Sequence, residues 1–336
     1  MPARICFFVK TKSPHVLERW GFYAQDIRAL RELGHEVVPV TRIRDLRPAD
    51  LYYVWWWTWA AVPLVYARLL GRPVVVTGAV VTRPLENRPR VHQWAIRRVL
   101  AGADANVFIS RVELERFTRC FHVRNPRYAP LTVDTTQFRP DGERDPGLVF
   151  TIAWTGGVNC VRKCFHEMVE AAARVCRVRP SVRFVFAGEH GEGYPALRRQ
   201  VDESGFADRI TFPGPFSHHE KVEHMQRCAV YLQPSRYEGF GLAIAEAMSC
   251  GAPVITSPEG EVPVVAGDAA MMVDGTRPDE IAAALLRALD GPALRAEYGR
   301  RARARIVAEF DFERHVRELG AVVDEALGRT RAATTR

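Results

Sequence analysis

Long apolar runs are missing from this 336-residue chain. The longest mostly apolar stretch, residues 51–67, is interrupted by Thr58 and Pro63 and stops at Arg68. A membrane-spanning helix needs about twenty apolar residues, so no span is expected. A signal-peptide pattern is also missing. Met1-Pro2-Ala3-Arg4 leads straight into an apolar run at residues 5–9. The expectation is a cytoplasmic protein, with peripheral attachment at the inner face of the cell membrane as its variant. The seven cysteines form no C-x-x-C pair and have irregular spacing. That excludes a disulfide framework and a zinc ribbon and leaves reduced thiols. Cys160 and Cys164 lack a second pair of ligands nearby, so no metal is expected. Helix-turn-helix, zinc-finger and RNP signatures are absent, so nucleic acid is not an expected partner.

Acidic residues are scarce in the first 145 positions, where 14 Asp and Glu face 23 Lys and Arg. The remainder holds 25 acids against 24 bases, so nearly all of the net charge of +8 sits in the first part. Such asymmetry suits an anionic partner: a phosphate-bearing acceptor or an anionic lipid surface.

What is present is a soluble composition, 47% hydrophobic and 26% charged, long enough for two domains. Short β-branched or aromatic runs at 5–9, 37–40, 51–55, 74–77 and 105–109 read as strands. Residues 16–33, 91–100 and 111–119 read as helices between them. A stretch rich in Pro, Asp, Arg and Thr, 126–147, interrupts the pattern. A second series then runs through strands at 149–154, 182–187, 210–212, 230–232 and 253–256. Its helices are expected at 163–178, 194–203, 219–227, 241–250, 278–289, 293–308 and 312–327. Strands alternating with helices imply parallel sheets covered on both faces. The fold class is therefore α/β, with two doubly wound Rossmann-like domains facing across a cleft. The expected division is 1–145, 146–310 and a closing helix at 311–330. Ligands in such sheets bind beyond the carboxyl ends of the strands.

The most informative segment is Pro234-Ser235-Arg236-Tyr237-Glu238-Gly239-Phe240-Gly241-Leu242-Ala243-Ile244-Ala245-Glu246-Ala247-Met248. Gly239 and Gly241 flank Phe240 at the entrance of a helix, where backbone N–H groups can approach a ligand closely. A helix start offers unpaired N–H groups and partial positive charge, which suits a diphosphate. Glu238 before it and Glu246 within it can grip sugar and ribose hydroxyls.

This segment resembles the donor-binding signature of retaining GT-B glycosyltransferases, specifically glycosyltransferase family 4. Further resemblances follow along the chain. They are Leu33-Gly34-His35-Glu36-Val37, residues 103–110 ending at Ser110, residues 130–140 around Val133-Asp134-Thr135, the loop from Gly156-Gly157 to Arg162-Lys163, and residues 249–255. The resemblance implies hexose transfer from a nucleotide diphosphate sugar, as co-substrate rather than cofactor, to an acceptor hydroxyl with retained configuration. It implies cell-surface glycan or glycolipid biosynthesis and needs no metal. It assigns catalysis to Glu238, Lys163 and Arg162. Donor binding goes to Gly156, Gly157, Lys221, the backbone amides of Phe240, Gly241 and Leu242, and Glu246. Lys12, Gly21 and Trp57 are placed on the acceptor side, where a glycan, a lipid-linked or a small-molecule acceptor would bind. Three positions depart from the family pattern: Gly157 replaces an arginine, Pro130-Leu131-Thr132 lacks a glycine, and Gly78 replaces a histidine. Glycosylation of a soluble natural product, a sugar phosphorylase and a non-catalytic scaffold subunit are the rival readings.

Overall fold

The computed structural model describes residues 2–12, 14, 15, 17, 21–79 and 89–328. The chain divides into two compact units, Met1–Thr132 with Phe312–Arg336, and Val133–Asp311.

The first unit is built on a six-stranded sheet in the order β2-β1-β3-β4-β5-β6. Its strands are β1 (Arg4–Val9), β2 (Glu36–Val40), β3 (Leu51–Trp55), β4 (Val74–Gly78), β5 (Ala105–Phe108) and β6 (Pro126–Tyr128). All neighbours are parallel. Every residue of β3 and β4 is buried, as expected where helices cover both faces of a parallel sheet. The short β6 begins with a proline and escaped sequence reading. It lies at the sheet edge, where a residue lacking N–H is tolerated. The described helices are α1 (Gly21–Glu32), α2 (Ala61–Leu69), α3 (Arg90–Gly102) and α4 (Arg111–Cys120). Of the helix expected at 16–33, residues 16 and 18–20 lie outside the described residues. After β3 a 3-10 turn at Trp57–Trp59 leads into α2.

The second sheet has the order β12-β11-β10-β7-β8-β9. Its strands are β7 (Asp145–Ile152), β8 (Arg183–Ala187), β9 (Ile210–Gly214), β10 (Cys228–Gln233), β11 (Val254–Thr256) and β12 (Met271–Met272). The helices are α5 (Asn159–Arg162), α6 (Phe165–Val178), α7 (Tyr194–Ser204), α8 (His218–Arg227), α9 (Leu242–Ser249), α10 (Val262–Ala266), α11 (Pro278–Asp290) and α12 (Pro292–Glu309). Phe165, Phe184, Phe186 and Leu232 are among the buried side chains of its core. The helix expected at 163–178 begins at Phe165, and a separate short helix, α5, precedes it. Cys164 adopts a left-handed conformation, φ 53°, which ends α5 and restarts the chain as α6.

The division falls between residues 132 and 133, ahead of the expected 145. Residues 133–144 are fastened to the second unit. Val133 N donates to Phe310 O at 2.9 Å. Arg303 donates to Thr135 O and Phe138 O, and Arg144 donates to Met225 O, Cys228 O and Cys250 O.

The last helix, α13 (Phe312–Ala326), belongs to the first unit and packs on α1. Arg28 lies over the Phe312 ring at 4.1 Å. Buried His315 bridges Pro130 O at 3.2 Å and the Asp26 carboxylate at 2.7 Å. Asp26 also accepts from Tyr53 and Trp55, so a buried carboxylate ties helix, sheet and terminus together. All seven cysteines are free thiols, and only Cys120 is exposed.

Candidate active site

An open parallel sheet forms a crevice where successive connections leave in opposite directions. In the second sheet the chain proceeds from β7 to β8 and β9, then returns to place β10 on the other side of β7. The switch point therefore lies between the carboxyl ends of β7 and β10. The loops leaving these two strands carry Gly156, Gly157, Arg162, Lys163 and Glu238.

Glu238 is at the centre of this group and only 7% exposed. Its surroundings are polar. Oε1 accepts from Gln233 Nε2 and Ser235 Oγ, each at 3.0 Å, and lies 3.3 Å from Lys163 Nζ. Oε2 lies 3.2 Å from Arg162 Nη1. Burial alone would raise the Glu238 pKa, but Lys163 and Arg162 together hold it below its ordinary value of 4.5. Burial, aided by neighbouring Arg162, lowers the Lys163 pKa from 10.5 despite Glu238. Two cations sharing one carboxylate leave the cluster one positive charge in excess.

Local structure fixes each member. Arg162 is the last residue of α5, and its guanidinium donates to Asn159 Oδ1 and Tyr237 O. Lys163 occupies the cap just after α5, placed there by the left-handed turn at Cys164. Arg236 N donates to Arg162 O at 2.7 Å, joining the two loops. Behind Glu238, Glu261 N donates to Glu238 O at 2.9 Å. Gly260 makes that approach feasible: its φ is +64°, and a Cβ there would lie 2.1 Å from Glu238 O.

Three residues beyond Glu238, Gly241 starts α9 with φ 88° and no side chain caps the helix. Gly241 and Leu242 thus stand at a helix start whose N–H groups are available to an anion. Phe240 is buried edge-on to Phe310 at 5.6 Å, so only its backbone can serve a ligand. Glu246, within α9, pairs with Lys221 of α8 at 2.7 Å, and Lys221 also lies 4.9 Å over the Phe138 ring. Gly156 and Gly157 line the other loop, where Gly157 has φ +52° and donates to Glu192 at 2.6 Å.

Sequence reasoning missed Gln233, Ser235, Tyr231 and Asn159. Tyr231 donates to Gln233, which donates to Glu238, forming a buried relay along β10. The available signal was polar Gln233 and Ser235 ending the apolar run at 228–235. The acceptor-side expectation for Trp57 is corrected. Trp57 is 2% exposed, donates to Asn106 Oδ1 at 2.9 Å and packs against Phe108. It is a core residue of the first unit. Lys12 and Gly21 are exposed. No group of three or more His, Cys, Asp or Glu among the described residues is placed to hold a metal ion.

Comparison with known proteins matches residues 161–305 to the family of glycosyl transferases group 1. A GDP-mannose-dependent monoacylated alpha-(1-6)-phosphatidylinositol monomannoside mannosyltransferase of Corynebacterium glutamicum is 26% identical over 238 residues, 65% of this chain and 61% of that protein. A D-inositol 3-phosphate glycosyltransferase of Acidothermus cellulolyticus is 32% identical over 264 residues, 71% of this chain and 58% of that protein. The match thus spans less than two thirds of the length of either relative. Among solved structures, sucrose-phosphate synthase from Thermosynechococcus elongatus superimposes with a TM-score of 0.81 at 18% identity, covering 97% of this chain and 100% of that one. HepE of Anabaena, with UDP and glucose, gives 0.74 at 16% identity, covering 96% and 100%. The second unit's switch-point loops and the helix beginning at Leu242 fall within or beside the matched segment; residues 161–305 are those of a group 1 glycosyl transferase, and the chain has the GT-B fold.

Proposed function

We propose that this protein transfers a hexose from a nucleotide diphosphate sugar to an acceptor hydroxyl, with retention at the anomeric carbon, in glycolipid or cell-surface glycan synthesis. The observation that carries the reading is the cluster of Arg162, Lys163 and Glu238 beside the uncapped start of α9. Its excess positive charge and the helix amides offer a fixed counter-charge to a diphosphate. The departing nucleoside diphosphate gains negative charge as the glycosidic bond breaks, so this counter-charge is worth more in the transition state than in the ground state.

Glu238 orients the two cations and holds them in register. The sugar-hydroxyl role expected for it requires that one of its four protein donors give way. Glu246, now paired with Lys221, is the carboxylate assigned to the ribose. In the reaction the bond from the anomeric carbon to phosphate oxygen breaks, and a bond to the acceptor oxygen forms on the same face. The acceptor proton passes to the leaving phosphate oxygen. The named relatives act on a phosphatidylinositol mannoside and on an inositol phosphate. Together with the basic first 145 residues they support a phosphate-bearing acceptor.

The test is nucleotide release and product formation across a panel of nucleotide sugars, with wild type and Lys163→Ala side by side. The reading expects release that collapses in the variant and an axial-to-axial product by NMR. Equal rates in both proteins contradict the role of Lys163, and an inverted product contradicts retention.

A further inference from the structure

The first unit carries a concentration of charge that the donor chemistry does not use. At the carboxyl ends of β1 and β2 a pocket of about 540 Å³ is lined by Lys10, Thr11, Lys12, Arg42, Ile43 and Arg44. The two walls are joined by Thr11 N donating to Thr41 O at 3.4 Å. Four cations therefore face one cavity. Lys10, Lys12 and Arg42 have no ion pair among the described residues, and the carboxylate nearest Arg44, Asp45, is 3.9 Å away and exposed. Other arginines of the unit do have a carboxylate partner: Arg28 pairs with Glu32, Arg68 with Asp104 and Arg127 with Glu325. Like charges gathered without acids repel one another, and a bound anion relieves that repulsion.

We propose that this pocket binds the phosphate ester of the acceptor. Two arginine forks and two lysine point charges match a dianion better than a single carboxylate. The volume is within the range of small-molecule sites and exceeds what a phosphate alone fills, leaving room for the alcohol it esterifies. The position beyond the carboxyl ends of parallel strands is where such sheets bind ligands. The inference rests on the transferase reading for the word acceptor. The anion site itself stands on the pocket.

The experiment measures binding of glycerol 3-phosphate by the full chain by titration calorimetry, in wild type and in Arg42→Gln/Arg44→Gln. Both positions are exposed, so the fold survives. Circular dichroism checks this, and Arg42→Lys/Arg44→Lys restores the charge alone. The double glutamine variant is expected to bind about tenfold or more weakly, as two charge-assisted contacts are lost, with partial recovery in the lysine variant. Absence of binding to the wild type, or equal binding by wild type and glutamine variant, overturns the proposal. Sedimentation with vesicles of phosphatidylcholine, with and without phosphatidylinositol, separates the sources. Retention only on phosphatidylinositol, lost in the glutamine variant, identifies a lipid head group; binding of the ester without retention identifies a soluble phosphorylated acceptor. Failure of the transferase reading appears elsewhere, as absent nucleotide release from wild type while glycerol 3-phosphate still binds.

Discussion

The carboxyl ends of the two sheets hold positive charge in opposite ways. In the second unit Arg162 and Lys163 are largely buried and share the carboxylate of Glu238, which Gln233 and Ser235 also hold. In the first unit Lys10, Lys12, Arg42 and Arg44 stand exposed around an open pocket. Both regions grow from doubly wound parallel sheets, so topology does not explain the difference. Preorganisation does. Cations fixed in a dry, hydrogen-bonded cluster can stabilise charge that develops during reaction without first reorienting. Cations on exposed stems recruit a ligand, at strength that falls with salt.

The sharpest way to break this contrast is Lys163→Ala. The account expects kcat/KM to fall about 100- to 1000-fold, on the scale of losing one preorganised electrostatic group, measured by nucleotide release. A loss confined to KM would place Lys163 with the recruiting cations instead. Gly260→Ala comes next. It forces a Cβ toward Glu238 O in a left-handed conformation and is expected to cost about 1–3 kcal/mol in chemical denaturation. A neutral result would mean that the loop behind Glu238 is soft and the cluster is not preorganised.

Trp57→Phe removes the donor to Asn106 Oδ1 and should cost about 1–3 kcal/mol through the unsatisfied buried amide. The acceptor KM should stay unchanged; a raised KM would return Trp57 to the acceptor side. The pH profile gives a finer test. The lowered Lys163 pKa means that its charge is lost as pH rises through a value below the ordinary 10.5, so the alkaline limb of kcat/KM should begin under that value. The depressed Glu238 pKa means that its stabilising contribution is fully present above the ordinary 4.5. It is lost only as pH falls through the lower folded value. Acid unfolding of Glu238→Gln against wild type checks that sign. The smallest effect is expected from moderate salt, which should raise the KM of a phosphorylated acceptor while leaving donor affinity less affected.

Much of this was legible in the sequence because local chemistry wrote it. Apolar runs marked β1, β3 and β10, and two glycines around Phe240 marked the start of α9. The parts that escaped depend on tertiary placement. The residues clasping Glu238 sit three and five positions before it, Ser235 and Gln233, and their aim is set by the end of β10. Lys163 reads as the start of a long helix, and only the left-handed turn at Cys164 makes it a cap. Trp57 lies in a run of aromatics at a strand end, where sequence cannot tell an exposed ring from one packed on Phe108. The strands Pro126–Tyr128 and Met271–Met272 are too short to leave a periodic signal.

The central claim is that the cluster at the end of β7 and β10 holds a diphosphate. A crystal structure with a nucleotide diphosphate sugar tests it most directly. The account predicts the distal phosphate within hydrogen-bond distance of Lys163 Nζ and of the backbone amides at Gly241 and Leu242. A diphosphate bound away from both, with Lys163 and Glu238 undisturbed, would contradict it.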